Sequence, residues 1–207
     1  MARTCASKAI FLKSTIEKAD TMRIALTGGI ACGKSLLAKF LNGFGVRTID
    51  ADDIVHEIIP ADERRRIADG VFRDPAKRKE LEARIHPLVA ARLADFDRET
   101  PGVKIEIIPL LFECHWEEYY DIIVCVFSPR SLQVERMTSK RGYSEEQAEA
   151  RLSAQIPVEE KVSRSDYVVE NCGSAEDLEQ EAKKLVDWLK GKQDGRRNRE
   201  EARQERA

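Results

Sequence analysis

The chain has no excess of charge of one sign, no long hydrophobic run and no closely spaced pair of cysteines. Thirty-five Lys and Arg stand against thirty-seven Asp and Glu, a formal net charge of −2. That balance does not suit a polyanion partner, so nucleic acid is not expected. The longest apolar stretches, such as Ile122 to Phe127, fall far short of the roughly 20 residues a membrane-spanning helix needs, so no membrane partner is expected either. The five cysteines (Cys5, Cys32, Cys114, Cys125 and Cys172) are odd in number and widely spaced. They fit neither a disulfide framework nor a zinc site, and a reducing cytoplasm is the expected compartment. Residues 1–22 offer only Ala9 to Leu12 as an apolar run between Lys8 and Lys13, too short for the core of a secretory signal. This segment is expected to be an extension outside the fold.

The 207 residues, 42% of them hydrophobic and 35% charged, suit one core with insertions. Arg23 to Thr27 reads as a short buried strand that stops at Gly28-Gly29, followed by a helix with Leu36, Leu37, Phe40 and Leu41 at helical spacing. Further strands are predicted at Val46 to Ile49, Val103 to Ile108, Ile122 to Phe127 and Tyr167 to Val169. Charged, helix-forming stretches separate them, so the expected class is α/β with a largely parallel sheet covered on both faces. Two helical regions, about 53–96 and 131–163, are longer than crossovers require and are read as a substrate insert and a lid. The folded domain is expected over 23–189. From Lys190 onward the apolar residues vanish, with seven basic and four acidic side chains, so 190–207 is read as a charged tail, frayed or disordered.

Gly28-Gly29-Ile30-Ala31-Cys32-Gly33-Lys34-Ser35 satisfies the Gly-x4-Gly-Lys-Ser pattern between a predicted strand and a predicted helix, the context a phosphate-binding loop requires. Glycines let the backbone turn its N–H groups around phosphate oxygens and the helix N-terminus adds positive potential. Lys34 reaches the β and γ phosphates and Ser35 is the expected Mg²⁺ ligand. The alternative is a plain strand-to-helix turn. No Asn-Lys-x-Asp segment for guanine is present, which favours ATP. Cys32, in the loop beside Lys34, is predicted to be the most reactive thiol, with inert burial as the competing reading.

Asp50, Asp52 and Asp53 follow the second strand. If the segment stays extended, Asp50 and Asp52 point the same way, toward the loop. There they can hold Mg²⁺ through water or orient an acceptor hydroxyl. The alternative is that Asp52 or Asp53 caps a helix beginning at Ile54.

The ordered set Leu26 to Ser35, Ile49-Asp-Ala-Asp52, Ile85-His-Pro87, Pro109-Leu-Leu-Phe-Glu113 and Asn171-Cys-Gly173 closely resembles dephospho-coenzyme A kinase, from Arg23 to about Leu189. The resemblance also takes in Val71 to Asp74, Arg136 through Arg151 to Gln155, and Lys161 to Asp166. It implies a P-loop kinase fold, with a five-stranded parallel sheet, helices on both faces, a helical acceptor-binding insert and a lid. It implies transfer of the ATP γ-phosphoryl group to the ribose 3′-hydroxyl of dephospho-CoA; separately, a monomer is expected. Asp52 would be the base, with Asp50 supporting it or the metal. Gly29, Ile30, Ala31, Cys32, Gly33, Lys34, Ser35 and Leu36 would line the phosphates. Asn171 and Gly173 would border the adenine.

Arg136, Lys140 and Arg141 can share a helix face and close over ATP, balancing charge on the transferring phosphoryl group. A solvated face is the alternative, and Lys140 stands where the family usually has arginine. His86 either contacts the acceptor or packs as a helix-boundary residue before Pro87. Glu113 ends its motif at a strand's carboxyl end, where open α/β sheets bind ligands. Leu110 and Leu111 are expected to pack beneath the acceptor. Leu36 replaces a hydroxyl residue that family members often carry. Between Pro60 and Glu63 the chain is shorter than the family pattern, leaving Arg64 as the candidate phosphate contact on the acceptor.

Overall fold

A computed structural model of the chain describes residues 22–60 and 75–204. Arg64 and the Val71 to Asp74 segment therefore lie outside the described residues, as do 1–21. The described chain divides into two units.

The larger unit comprises Met22–Thr48 and Gly102 onward. It contains β1 (Ile24–Gly28), α1 (Lys34–Gly43) and the start of β2 (Arg47–Asp50). After the other unit come β3 (Lys104–Ile107) and β4 (Ile122–Phe127). The sheet has five strands in the order β2-β3-β1-β4-β5, with β5 at Tyr167–Glu170. The pairing of β1 with β3 and β4, and of β4 with β5, is parallel, with Leu26 opposite Ile107 and Val124, and Val126 opposite Val169. All five residues of β1 and all four of β3 are buried. The apolar run of β1 is the mark of a strand buried on both faces, whereas β3, Lys-Ile-Glu-Ile, alternates charged and apolar residues and buries its Lys104 and Glu106 as well. The α/β class and the five parallel strands match the expectation.

Three helices follow β4: α4 (Arg130–Arg141), α5 (Glu145–Ser153) and α6 (Val158–Ser163). Ser144 and Gln147 form a reciprocal capping box that starts α5, satisfying two N–H groups the helix leaves unpaired. Met137, Ala148 and Leu152 form a small core joining α4 to α5, with Ile30 and Ala31 packed against it. The last helix of the expected lid behaves differently, because α6 packs on β4 and β1.

The last helix, α7 (Ala175–Gln204), packs on α1 and β5 through Leu178, Ala182, Leu185, Val186 and Leu189. Ser174 opens it by accepting from the Asp177 N–H, and hydrogen bonds from Ser174 hold the Asp177 carboxyl below its ordinary range. The helix continues through most of 190–207, the segment expected to be a frayed helix or disordered. Gln, Glu, Lys and Arg are good helix formers, and Lys192 lies over the Trp188 ring with Arg196 3.5 Å from Asp121.

The smaller unit, Ile49–Pro101, contributes α2 (Ala51–Ile58) and α3 (Pro75–Glu99), which pack on each other. Pro87 lies inside α3, so the boundary expected at His86 is absent. Proline removes one helical hydrogen bond, while burial of Ile85, Val89, Ala90 and Leu93 on the same helix favours its continuation.

Candidate active site

β1 delivers the chain into the loop at Gly28, whose φ of 141° favours glycine and whose missing Cβ leaves room for the Val126 carbonyl. Ala31 sits at φ 58°, a left-handed conformation that costs a side-chain-bearing residue about 1–2 kcal/mol. Such strain concentrates at ligand clamps. Gly33, at φ 97°, precedes α1 without a side-chain cap. The first N–H groups of α1 have no partner within the helix, which is the geometry that binds phosphate. Lys34 Nζ lies across the loop, donating to the carbonyls of Gly28 and Gly29, each at 2.9 Å. Ser35 and Leu36 are exposed in the first turn, so Ser35 is open to a ligand.

Three residues that are distant in sequence grip this loop. Asn171, just past β5, is buried, and its Nδ2 donates to the Cys32 carbonyl at 2.8 Å. A Cβ on Gly33 would run into that amide. Arg136 donates through Nη1 to Ser128 Oγ at 2.8 Å and the Ala31 carbonyl at 3.3 Å, and through Nη2 to the Asn171 carbonyl at 2.9 Å. The buried Gln133 amide donates to Cys32 Sγ. Arg136 thus braces the loop in this structure, whereas Lys140 and Arg141 are exposed in the last turn of α4. The helix persists far enough for the expected shared face. Asn171 uses its side chain on the loop, and Gly173 is exposed.

On the other side of β1, Leu111 is fully buried and Leu110 half-buried, in keeping with packing. Glu113 makes an ion pair with Lys161 of α6 at 2.7 Å. Lys161 has no foreseen role, because a lysine in Val-Glu-Glu-Lys-Val-Ser reads locally as solvated. Gln133 and Ser128 likewise carry no sequence signal.

In the smaller unit, Asp50 ends β2 and caps α2, its Oδ1 accepting from the Asp52 N–H at 2.9 Å. The helix therefore begins at Ala51, earlier than expected, and Asp50 rather than Asp52 or Asp53 is the cap. Asp52 stands exposed in the first helical turn. The two carboxylates are consequently not related by the alternation of an extended segment. His86 is half-buried within α3.

Cys32 is 0% exposed, so the expected reactive thiol is inaccessible. Burial also pushes the Cys125 thiol up to about 12, helped by neighbouring Cys32. Cys172 is exposed, although burial and Glu170 raise its thiol as well. Alkylation with peptide mapping should label Cys172 ahead of Cys32, Cys114 and Cys125, because accessibility outweighs a modest rise in pKa. Labelling of Cys32 first would contradict the closed loop.

A dephospho-CoA kinase family model matches residues 22–65 and 61–177. The two segments meet where the chain was expected to be shorter than the family. The curated dephospho-CoA kinase of Anaeromyxobacter dehalogenans is 36% identical over 197 residues, covering 81% of this chain and 92% of that protein. The crystal structure of TT1252 from Thermus thermophilus superposes with a TM-score of 0.71 at 34% identity, covering 81% of this chain and 97% of the other. Dephospho-CoA kinase from Campylobacter jejuni gives a TM-score of 0.61 at 28% identity, covering 82% and 98% respectively. With the phosphate loop, its three braces and the carboxylates after β2 all present, the chain belongs to the dephospho-CoA kinase family.

Proposed function

We propose that this kinase transfers the γ-phosphoryl group of ATP to the ribose 3′-hydroxyl of dephospho-CoA, giving coenzyme A and ADP. The observation that carries the reading is the loop with Lys34 laid across its glycine carbonyls in a chain of this family. Asp52 is the base. Its carboxylate accepts the 3′-hydroxyl proton as the new O–P bond forms and the bond to ADP breaks, while capping by Asp50 holds the turn that carries it. Lys34 and the loop amides bind the β and γ phosphates. Arg136 keeps the loop in shape and lies close enough to it to meet developing charge, with Lys140 and Arg141 closing from the end of α4.

Ser35 would hold Mg²⁺, which supplies charge neutralisation between the β and γ oxygens. A single exposed hydroxyl fits that ion, because Mg²⁺ keeps several waters and takes the rest of its ligands from phosphate. Among the described residues no three His, Cys, Asp or Glu side chains could cage a metal alone. Asp50, His86, Leu110, Leu111 and Glu113 belong to the acceptor side, as does Arg64. The same reading takes the enzyme as a cytoplasmic monomer; no helix among the described residues is long and apolar enough to cross a membrane.

A panel of dephospho-CoA, adenosine and AMP with ATP and Mg²⁺, followed by ADP release, tests the reading. Dephospho-CoA should be the preferred acceptor. With a shortened insert to cover the pantetheine arm, its kcat/KM advantage over adenosine should stay below roughly 10⁴-fold, about 5.5 kcal/mol. ADP release with another hydroxyl acceptor and none with dephospho-CoA would overturn the assignment.

A further inference from the structure

Lys161 is the least expected charge in the larger unit. Its side chain is 0% exposed, and its ammonium donates to the Pro109 carbonyl at 3.0 Å while pairing with Glu113 Oε1 at 2.7 Å. The same Glu113 oxygen accepts from the Ile156 N–H at 3.2 Å, whereas Glu113 Oε2 is buried without a hydrogen-bond partner. The Pro109 carbonyl takes a second hydrogen bond from Thr27 Oγ1 at 3.4 Å.

Stability alone does not account for this arrangement. Removing two charges from water offsets much of their attraction, and an apolar pair of equal volume commonly stabilises a fold as well or better. What an ion pair adds is geometry. Lys161 holds one end of the Pro109–Glu113 turn by a backbone oxygen and the other end by a carboxylate. That turn leaves the carboxyl end of β3, the edge where parallel sheets present their ligands. Ile156, the third partner, lies between α5 and α6, at the base of the lid.

We propose that Lys161 is a positioning residue for the acceptor: it fixes the Pro109–Glu113 turn and, through Glu113, ties that turn to the base of the lid. The inference rests on the reading that this turn borders dephospho-CoA. Lys161 acts through Glu113 and the Pro109 carbonyl.

Lys161→Met removes the ammonium at nearly constant length. Its acceptor kcat/KM should fall about 100-fold, the scale of a misplacement near 1 Å, while the Kd for ATP stays near the parent value. Should a lone buried carboxylate prevent folding, the double variant Lys161→Met with Glu113→Gln removes both charges and gives the same readout. Where all variants fold, the double should lose less than the two single losses combined, because one contact is removed twice. Leu110→Ala tests the turn independently and should raise the KM for dephospho-CoA.

A raised acceptor KM in Leu110→Ala with unchanged acceptor kinetics in the folded Lys161 variants would leave the acceptor reading standing and overturn the role of Lys161. No change in either would remove the acceptor reading and the proposal together. An effect in the Lys161 variants alone, or a parallel loss of ATP and acceptor binding that tracks a fall in Tm, would mark Lys161 as structural and overturn the proposal.

Discussion

Asp52→Asn should lower kcat by about 10³-fold, within the usual range for loss of a positioned base, and leave ATP binding almost untouched. The amide keeps the shape of the carboxylate but cannot take a proton. Stability should barely move. The hydrogen bond that shapes the turn is donated by the Asp52 backbone N–H to the Asp50 side chain, so it survives the change. The small favourable interaction of an acidic side chain with the α2 N-terminus, about 0.3–1 kcal/mol at an exposed position, is lost. Asp50→Asn is the control, since asparagine caps helices about as well as aspartate. Steady-state kinetics with calorimetric ATP titration decide the matter, and near-parental kcat in Asp52→Asn would remove it as the base.

Lys34→Ala should behave differently, damaging nucleotide binding and turnover together. The ammonium that bridges the Gly28 and Gly29 carbonyls is expected to exchange part of that contact for phosphate oxygens, in ground and transition states alike. Loss of one preorganised donor to developing transition-state charge typically costs about 10²–10³ in kcat, and a similar loss is expected here. ATP affinity should fall as well, because the Gly28 and Gly29 carbonyls also lose the ammonium that covers them. A variant that bound ATP normally but turned over slowly would confine Lys34 to the transition state and contradict this account.

Most of the framework was legible because its causes are local. Ile122 to Phe127 forms the strand its apolar run predicts, and the Gly-x4-Gly-Lys-Ser loop lies between a strand and a helix as its spacing requires. Errors fell where one local rule competes with another. Asp50 could continue an extended segment or cap a helix, and capping prevailed, which put Asp52 on a helix. Pro87 ordinarily ends a helix, yet α3 continues past it with its apolar side buried. For the charged tail, whose composition suits both a solvated segment and a helix, a frayed helix and disorder were both open, and α7 extends through most of it.

Sequence by itself determined the parallel α/β class and the phosphate loop, because strand patterning and loop chemistry depend on neighbours in the chain, while Asp52 as the candidate base came from the family resemblance. Only the tertiary structure decided that Asn171 grips a loop 139 residues away, that Arg136 reaches back across 105 residues to Ala31, that Cys32 is sealed, and that Lys161 is a buried charge paired with Glu113. Each of these depends on which polar groups the fold strips of water. A lysine or asparagine reads the same locally whether solvent or a carbonyl completes its hydrogen bonds, and that choice is made only when distant segments pack.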